Sequence, residues 1–196
     1  MTALKENNVI IGIDPGIRNT GWGIISNFEN QLQHIDHGVI VPNTKESDAS
    51  RLLYISSHLD EILNNYKPSL AVIEKIFVSA SGESALKLGM ARGVALNVIA
   101  SKKNILIIEL AARFVKKAIT GSGAADKNQI KFMIEKLLRK RVSKLDASEA
   151  LAIAIAGSNS KNRKLNPYNV ITKSEKKNVN NNLINAINRA LNKSKL

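Results

Sequence analysis

The 196-residue chain contains no cysteine, which excludes a disulfide framework and a thiolate zinc site. Long hydrophobic runs are missing too. The longest apolar candidates, residues 9–13 and 151–156, fall far short of the roughly 20 residues a helix needs to cross a bilayer. Residues 1–8 are polar and lack the apolar stretch of a secretory signal, so the chain is expected in the cytoplasm, without a membrane. Aromatics are scarce, at 4% with four Phe, so a Phe among small polar residues stands out. Acids are scarce relative to bases: 16 Asp and Glu face 29 Lys and Arg, for a net charge of +13. Such an excess attracts polyanions and lets Lys and Arg displace counterions from a nucleic acid backbone.

Hydrophobic residues make up 44% of the chain, enough for one folded domain and against global disorder. The charge is uneven. Residues 158–196 carry nine Lys and Arg against one acid, Glu175, and eleven Asn. Composition therefore divides a body at 1–157 from a basic, flexible Asn/Lys-rich tail at 158–196, in which Val179, Leu183, Ile187 and Leu191 permit one weak amphipathic helix. Within the body, residues 102–144 are net +9 and the remainder net −4. A basic half beside an acidic half fits a backbone-binding groove around a carboxylate cluster. For any single Lys, a solvated surface position is the simpler reading.

Residues 9–14 read as a buried strand closed by Pro15-Gly16. Strands follow at 21–26 and 32–41. The period then changes: Leu52, Ile55, Leu59 and Ile62 share a helical face that ends near Lys67-Pro68. A strand at 70–73 runs into Glu74, a helix spans 83–102, and a strand covers 105–108. Helices at 111–119 and 127–138 flank Gly121-Ser-Gly123, and an Ala-rich helix covers 146–156. Three strands in succession, then helices alternating with single strands, predict an α/β fold with a mixed sheet and helices on both faces.

Four acids fall at strand ends or a helix start: Asp14, Glu74, Asp146 and Glu149. A carboxylate closing a buried strand costs desolvation unless something compensates, and Asp146 and Glu149, three apart on one helix, can point the same way. Gathering such groups creates like-charge repulsion, which a divalent cation relieves. Oxygen-only ligands suit Mg²⁺ or Mn²⁺, and two such ions can flank a phosphodiester. Each acid has a plainer alternative. Asp14 can hold a turn, Glu74 can pair with a Lys, and Asp146-x-x-Glu149 has the outline of a helix capping box, which locally is the favoured reading.

Ile11-Gly-Ile-Asp14-Pro-Gly16, Val72-Ile-Glu74-Lys-Ile-Phe77, Ser84-Ala-Leu-Lys-Leu-Gly-Met-Ala-Arg-Gly93 and Asp146-Ala-Ser-Glu149-Ala-Leu-Ala-Ile-Ala154 resemble, in order, the motifs of the RuvC crossover junction endodeoxyribonucleases. The resemblance covers residues 9–157. It implies a ribonuclease H-like fold, a homodimer, a RuvA–RuvB branch migration complex as partner, and paired symmetric nicks in Holliday junctions during DNA recombination and repair. The implied cofactor is Mg²⁺, two ions per site, with Mn²⁺ as substitute. Carried over by motif, Asp14, Glu74, Asp146 and Glu149 hold the metal, Lys127 joins them in catalysis, Lys116 and Lys127 contact DNA near the scissile phosphate, and Phe77 stacks near the junction centre. In the family the fourth acid is usually Asp; here it is Glu149, one methylene longer. The tail lies outside the resemblance.

The same residues make physical sense alone. Phe77 sits beside Ser79, Ala80 and Ser81, where an exposed ring can stack on an unpaired base for about 1–3 kcal/mol; the alternative is a core Phe. Lys127 opens a helix, where backbone N–H groups and the ammonium can meet a phosphate together. Gly89 and Gly93 weaken a helix intrinsically, so a close helix contact, such as a dimer interface, is expected there. The three His show no ligand spacing. Three other functions compete: a non-catalytic basic DNA-binding protein, a ribonuclease H-like nuclease acting on RNA, and an ATPase of the actin and sugar-kinase type. The last requires a second nucleotide-gripping domain for which 196 residues leave no space.

Overall fold

The structure, a computed structural model, describes residues 9–28, 31–75 and 82–160. Its elements run β1 (Val9–Asp14), β2 (Thr20–Phe28), β3 (Gln31–Ile40), α1 (Asp48–Tyr66), β4 (Leu70–Lys75), α2 (Gly82–Ala100), β5 (Leu106–Ala111), α3 (Ala112–Thr120), α4 (Lys127–Leu138) and α5 (Leu145–Ser160). The five strands form one sheet in the order β3-β2-β1-β4-β5. The first three strands make an antiparallel meander, while β4 and β5 join β1 in parallel. This is the mixed sheet that the strand pattern predicts.

The apolar runs of β1 and β4 follow from their central places. Ile11, Ile13 and the whole stretch 70–73 are fully buried, because helices cover both faces of this part of the sheet. One apolar layer joins Ile11, Ile13, Ile24 and Ile73 to Ile55, Leu59 and Leu63 of α1 and Ala95, Val98 and Ile99 of α2. The opposite layer joins Ile10, Ile25, Leu70 and Val72 to α3, α4 and α5. Ile13 lies opposite Ile73 in the parallel ladder, so Asp14 and Glu74 emerge side by side at the carboxyl ends of their strands. Open α/β sheets place their ligands at that edge.

Apart from the half-buried Glu149, every residue of α5 from Ala147 to Ala156 is buried, as the Ala, Ile and Leu run from Ala150 onward requires. Its small residues let it lie directly on β1 and β2. The sheet does its part with glycine: a Cβ at Gly12 would stand 2.0 Å from the Ala150 carbonyl oxygen, and one at Gly21 would stand 2.2 Å from that of Asp146. Helix and sheet thus touch backbone to backbone.

Two expectations need adjustment. The buried stripe of α1 is Arg51, Ile55, Leu59 and Leu63, whereas Leu52 and Ile62 are only half-buried. Arg51 takes an inside position because its guanidinium donates to the Ile17 carbonyl at 2.7 Å and to Asp48 at 3.1 Å. Strand β5 begins and ends later than the apolar run at 105–108. It continues through Glu109, opposite Ile73, because Arg92 of α2 pairs with that carboxylate. The expected boundary at 157/158 falls inside α5, which ends at Ser160; residues 161–196 and Phe77 lie outside the described residues. No helix among the described residues is long and apolar enough to cross a membrane.

Candidate active site

The four acids predicted from sequence converge at one edge of the sheet. Asp14 ends β1 and Glu74 is the penultimate residue of β4. Asp14 also pairs with Gly21 of β2, and over Gly21 sits the first turn of α5, whose Asp146 carbonyl that glycine admits. Carboxylate oxygens of Asp14, Asp146 and Glu149 all lie within 4.8 Å of one another. Glu74 lies beside them, close enough for its charge to act on Asp14.

The electrostatics of these acids are unfavourable as they stand. Burial pushes the Asp14 carboxyl well above its ordinary value, and the negative charges of Glu74, Glu149 and Asp146 push it further, with Lys127 opposing. Burial also raises Glu74, though its hydrogen bond with Asp14 works the other way. A divalent cation set among these carboxylates would remove the repulsion. The donor set fits one in kind: Mg²⁺ takes oxygen ligands at about 2.1 Å, and three carboxylates here offer oxygens within 4.8 Å of one another. The longer Glu149 reaches the cluster as an Asp would.

Lys127 is the nearest cation. Its ammonium donates to Glu149 at 2.8 Å, which raises its own pKa, burial opposing. The Lys127 side chain is 57% exposed, so this pair contributes only about 0.2–1 kcal/mol to folding. Lys116 of α3 lines a small cavity with Glu74 and Glu149. On the other side of the acids, a cleft of about 610 Å³ is lined by Asp14, Gly16, Arg18, Asn19, Lys87 and Asp146, among others.

The local alternatives resolve differently. Asp146 sits within the first turn of α5, which begins at Leu145, so it does not cap the helix. The capping box belongs to α4. There Asp126 accepts from the Asn128 and Gln129 backbone N–H groups, and the Gln129 side chain accepts from the Asp126 N–H. Two of the helix-start N–H groups are thus taken up by the cap. The Lys127 ammonium faces the acids.

Sequence reasoning missed Asn19, whose side-chain amide donates to Asp146 Oδ2 at 3.1 Å. It also missed Arg51, which anchors the β1–β2 turn at Ile17. Asn19 is five residues after Asp14, and only the turn geometry brings it back to the site.

Residues 10–157 match the family described as "Crossover junction endodeoxyribonuclease RuvC". The chain belongs to the RuvC family. The match contains all four acids and both lysines. A crossover junction endodeoxyribonuclease RuvC of Hyphomonas neptunium is 46% identical over 147 residues, covering 74% of this chain and 87% of the relative. One from Caulobacter sp. is 42% identical over 151 residues, 76% of this chain and 89% of the relative. Among solved structures, Thermus thermophilus RuvC in complex with Holliday junction substrate superposes with a TM-score of 0.69 at 26% identity, covering 76% of this chain and 91% of that one. The sheet and its flanking helices are therefore the ribonuclease H-like fold of the RuvC nucleases.

Proposed function

We propose that this chain binds four-way DNA junctions and hydrolyses phosphodiesters at the Asp14, Glu74, Asp146 and Glu149 cluster, making paired symmetric nicks. The observation that carries this reading is the convergence of half-buried carboxylates, with oxygens of Asp14, Asp146 and Glu149 within 4.8 Å, at the carboxyl edge of the sheet. Family membership supplies the substrate. Asp14, Asp146 and Glu149 would hold Mg²⁺, with Glu74 beside them to help hold a second ion, and Mn²⁺ would substitute. When bound, the ions activate water for attack on phosphorus and stabilise the leaving oxygen.

The chain's own residues do the rest. Asp14 and Glu74 would form the acidic floor of the loaded site. Lys127, already aimed at Glu149, meets a non-bridging phosphate oxygen from the open side, and Lys116 holds the neighbouring phosphate. Arg18 and Lys87, in the adjoining cleft, lead the backbone toward the acids. Phe77 stacks on a base unpaired at the crossover. A junction has two equivalent strands to cut, so the working form is a homodimer with one site per strand. Among the described residues nothing approaches an added Cβ at Gly89 or Gly93 within 4 Å, which leaves that stretch of α2 open to a second copy. The RuvA–RuvB complex is the proposed partner in the cytoplasm, and the basic residues of 158–196 add unspecific backbone affinity.

The test is incubation with synthetic four-way junctions and linear duplex, with and without Mg²⁺, mapping the nicks on each strand. Symmetric nicks confined to junctions and to metal are expected. Binding with no cutting in Mg²⁺ or Mn²⁺ would instead make the chain a non-catalytic DNA-binding protein.

A further inference from the structure

We infer that Asn19 is a positioning residue for the metal site: its amide holds one oxygen of Asp146 so that the other is presented to the cation. The inference rests on the metal-binding reading of the acids above. Asp146 Oδ2 accepts a hydrogen bond from Asn19 Nδ2 at 3.1 Å. A carboxylate only accepts, so the amide must turn its nitrogen, not its oxygen, toward Asp146. Both side chains lie on the cleft beside Asp14.

The backbone under Asn19 is held unusually well for an exposed turn. Thr20, itself buried, donates its hydroxyl to the Gly16 carbonyl at 2.8 Å and accepts from the Gly16 N–H at 3.4 Å. Arg51 reaches from α1 to the Ile17 carbonyl through a buried bond of 2.7 Å. The turn is also too tight for a side chain at position 16, where a Cβ would stand 2.5 Å from the Asn19 carbonyl oxygen. A rigid platform thus carries an exposed side chain whose polar tip meets a candidate metal ligand. An exposed amide hydrogen bond adds little to folding, since water competes for both partners. Its value lies in orientation. Asp146 occupies the first turn of a helix, Asn19 is its one side-chain hydrogen-bond partner among the described residues, and like charges on Asp14 and Glu149 face it. Without Asn19 the carboxylate is free to rotate away from them. Hydrogen bonds from outside the ligand set typically change metal affinity or activity by about 10–100-fold.

The experiment measures Mn²⁺ binding to the full chain without DNA, by electron paramagnetic resonance and calorimetry, alongside thermal unfolding in chelator. Asn19→Leu keeps the shape and removes the donor; Asn19→Gln keeps an amide on a longer stem. Asn19→Leu is expected to weaken Mn²⁺ binding about 10-fold or more, with an unchanged melting temperature and partial recovery in Asn19→Gln. In an Asp146→Ala background, Asn19→Leu should cost nothing further, because the two residues act as one unit. Wild-type Mn²⁺ affinity in Asn19→Leu overturns the inference, as does an equal loss in the Asp146→Ala background. A lowered melting temperature would assign Asn19 to the folding of the turn instead. Failure of the wild-type chain to bind Mn²⁺ overturns the metal-binding reading itself, a result distinct from failure of Asn19 alone.

Discussion

Substituting Gly21 by Ala tests whether close contact between sheet and helix sets the geometry of the acids. The new Cβ would fall 2.2 Å from the Asp146 carbonyl oxygen and 2.6 Å from its carbonyl carbon. Both are backbone atoms, so no rotamer change relieves the overlap. Ordinary contact begins near 3.4 Å, so the first turn of α5 must lift from β2 by about 1.2 Å, carrying Asp146 with it. Overpacking of this kind costs about 1–3 kcal/mol. The loss of chain freedom in the unfolded state returns roughly 0.4–1 kcal/mol. At about 2–4 °C per kcal/mol for a domain of this size, the melting temperature falls by a few degrees. Catalysis suffers more, because misplacing a catalytic group by about 1 Å can cost 10²-fold. The assay pairs thermal unfolding with single-turnover cleavage of a four-way junction at saturating Mg²⁺. A variant that melts a few degrees lower and cuts at the wild-type rate would refute the reasoning, since Asp146 would then not need its place above Gly21.

Four further outcomes follow. Lys127→Ala should keep junction binding and stability nearly unchanged but slow single-turnover cleavage by about 10²–10³-fold, as for loss of other preorganised electrostatic contacts. In chelator at neutral pH, Asp14→Asn should be more stable than wild type. The raised carboxyls of Asp14 and Glu74 make the folded state bind protons that the unfolded state has released. Acidification from neutral toward the ordinary carboxylate range therefore stabilises the wild type selectively, and its deficit against the variant should shrink in urea titrations across that range. The hydrogen-bonded pair His34 and His37, 2.7 Å apart on β3, acts in the opposite sense. Burial and mutual repulsion hold His34 below its ordinary value, and burial lowers His37, so stability falls as pH drops below about 6.5, an effect that His34→Gln should reduce. Removing 161–196 leaves α5 whole and deletes all the charge of the tail, net +8. It should flatten the salt dependence of DNA binding while keeping the preference for junctions over duplex, as fluorescence anisotropy across a salt series would show.

Much of the fold was legible because burial on both faces leaves a plain mark. Residues 9–14 and 70–73 are unbroken apolar runs because helices cover them on either side, and the Ala-rich α5 reads as a buried helix for the same reason. The acids were legible as interruptions, Asp14 and Glu74 ending apolar strands and Asp146 and Glu149 opening an apolar helix. What escaped depended on contacts distant in sequence. Nothing local marks Arg51 as an inside residue, because the carbonyl it serves, Ile17, is 34 residues away. Glu109 looked too polar for a strand until Arg92 stood beside it. Two capping patterns of similar form, Asp126-x-x-Gln129 and Asp146-x-x-Glu149, could not be told apart by spacing. Only the register of α5 over Gly21 turns the second into a pair of candidate ligands. Asn19 had no periodic or compositional signal at all; the Thr20 and Arg51 anchors place it.

The most direct measurement compares wild type with Asp14→Asn on one four-way junction, scoring binding by anisotropy and cleavage by strand-resolved gels as Mg²⁺ is titrated. The wild type should bind and cut symmetrically in proportion to metal occupancy. Asp14→Asn should bind at least as tightly, having lost a negative charge, yet fail to cut at any Mg²⁺ concentration. Near-normal cleavage by Asp14→Asn would contradict catalysis by the carboxylate cluster.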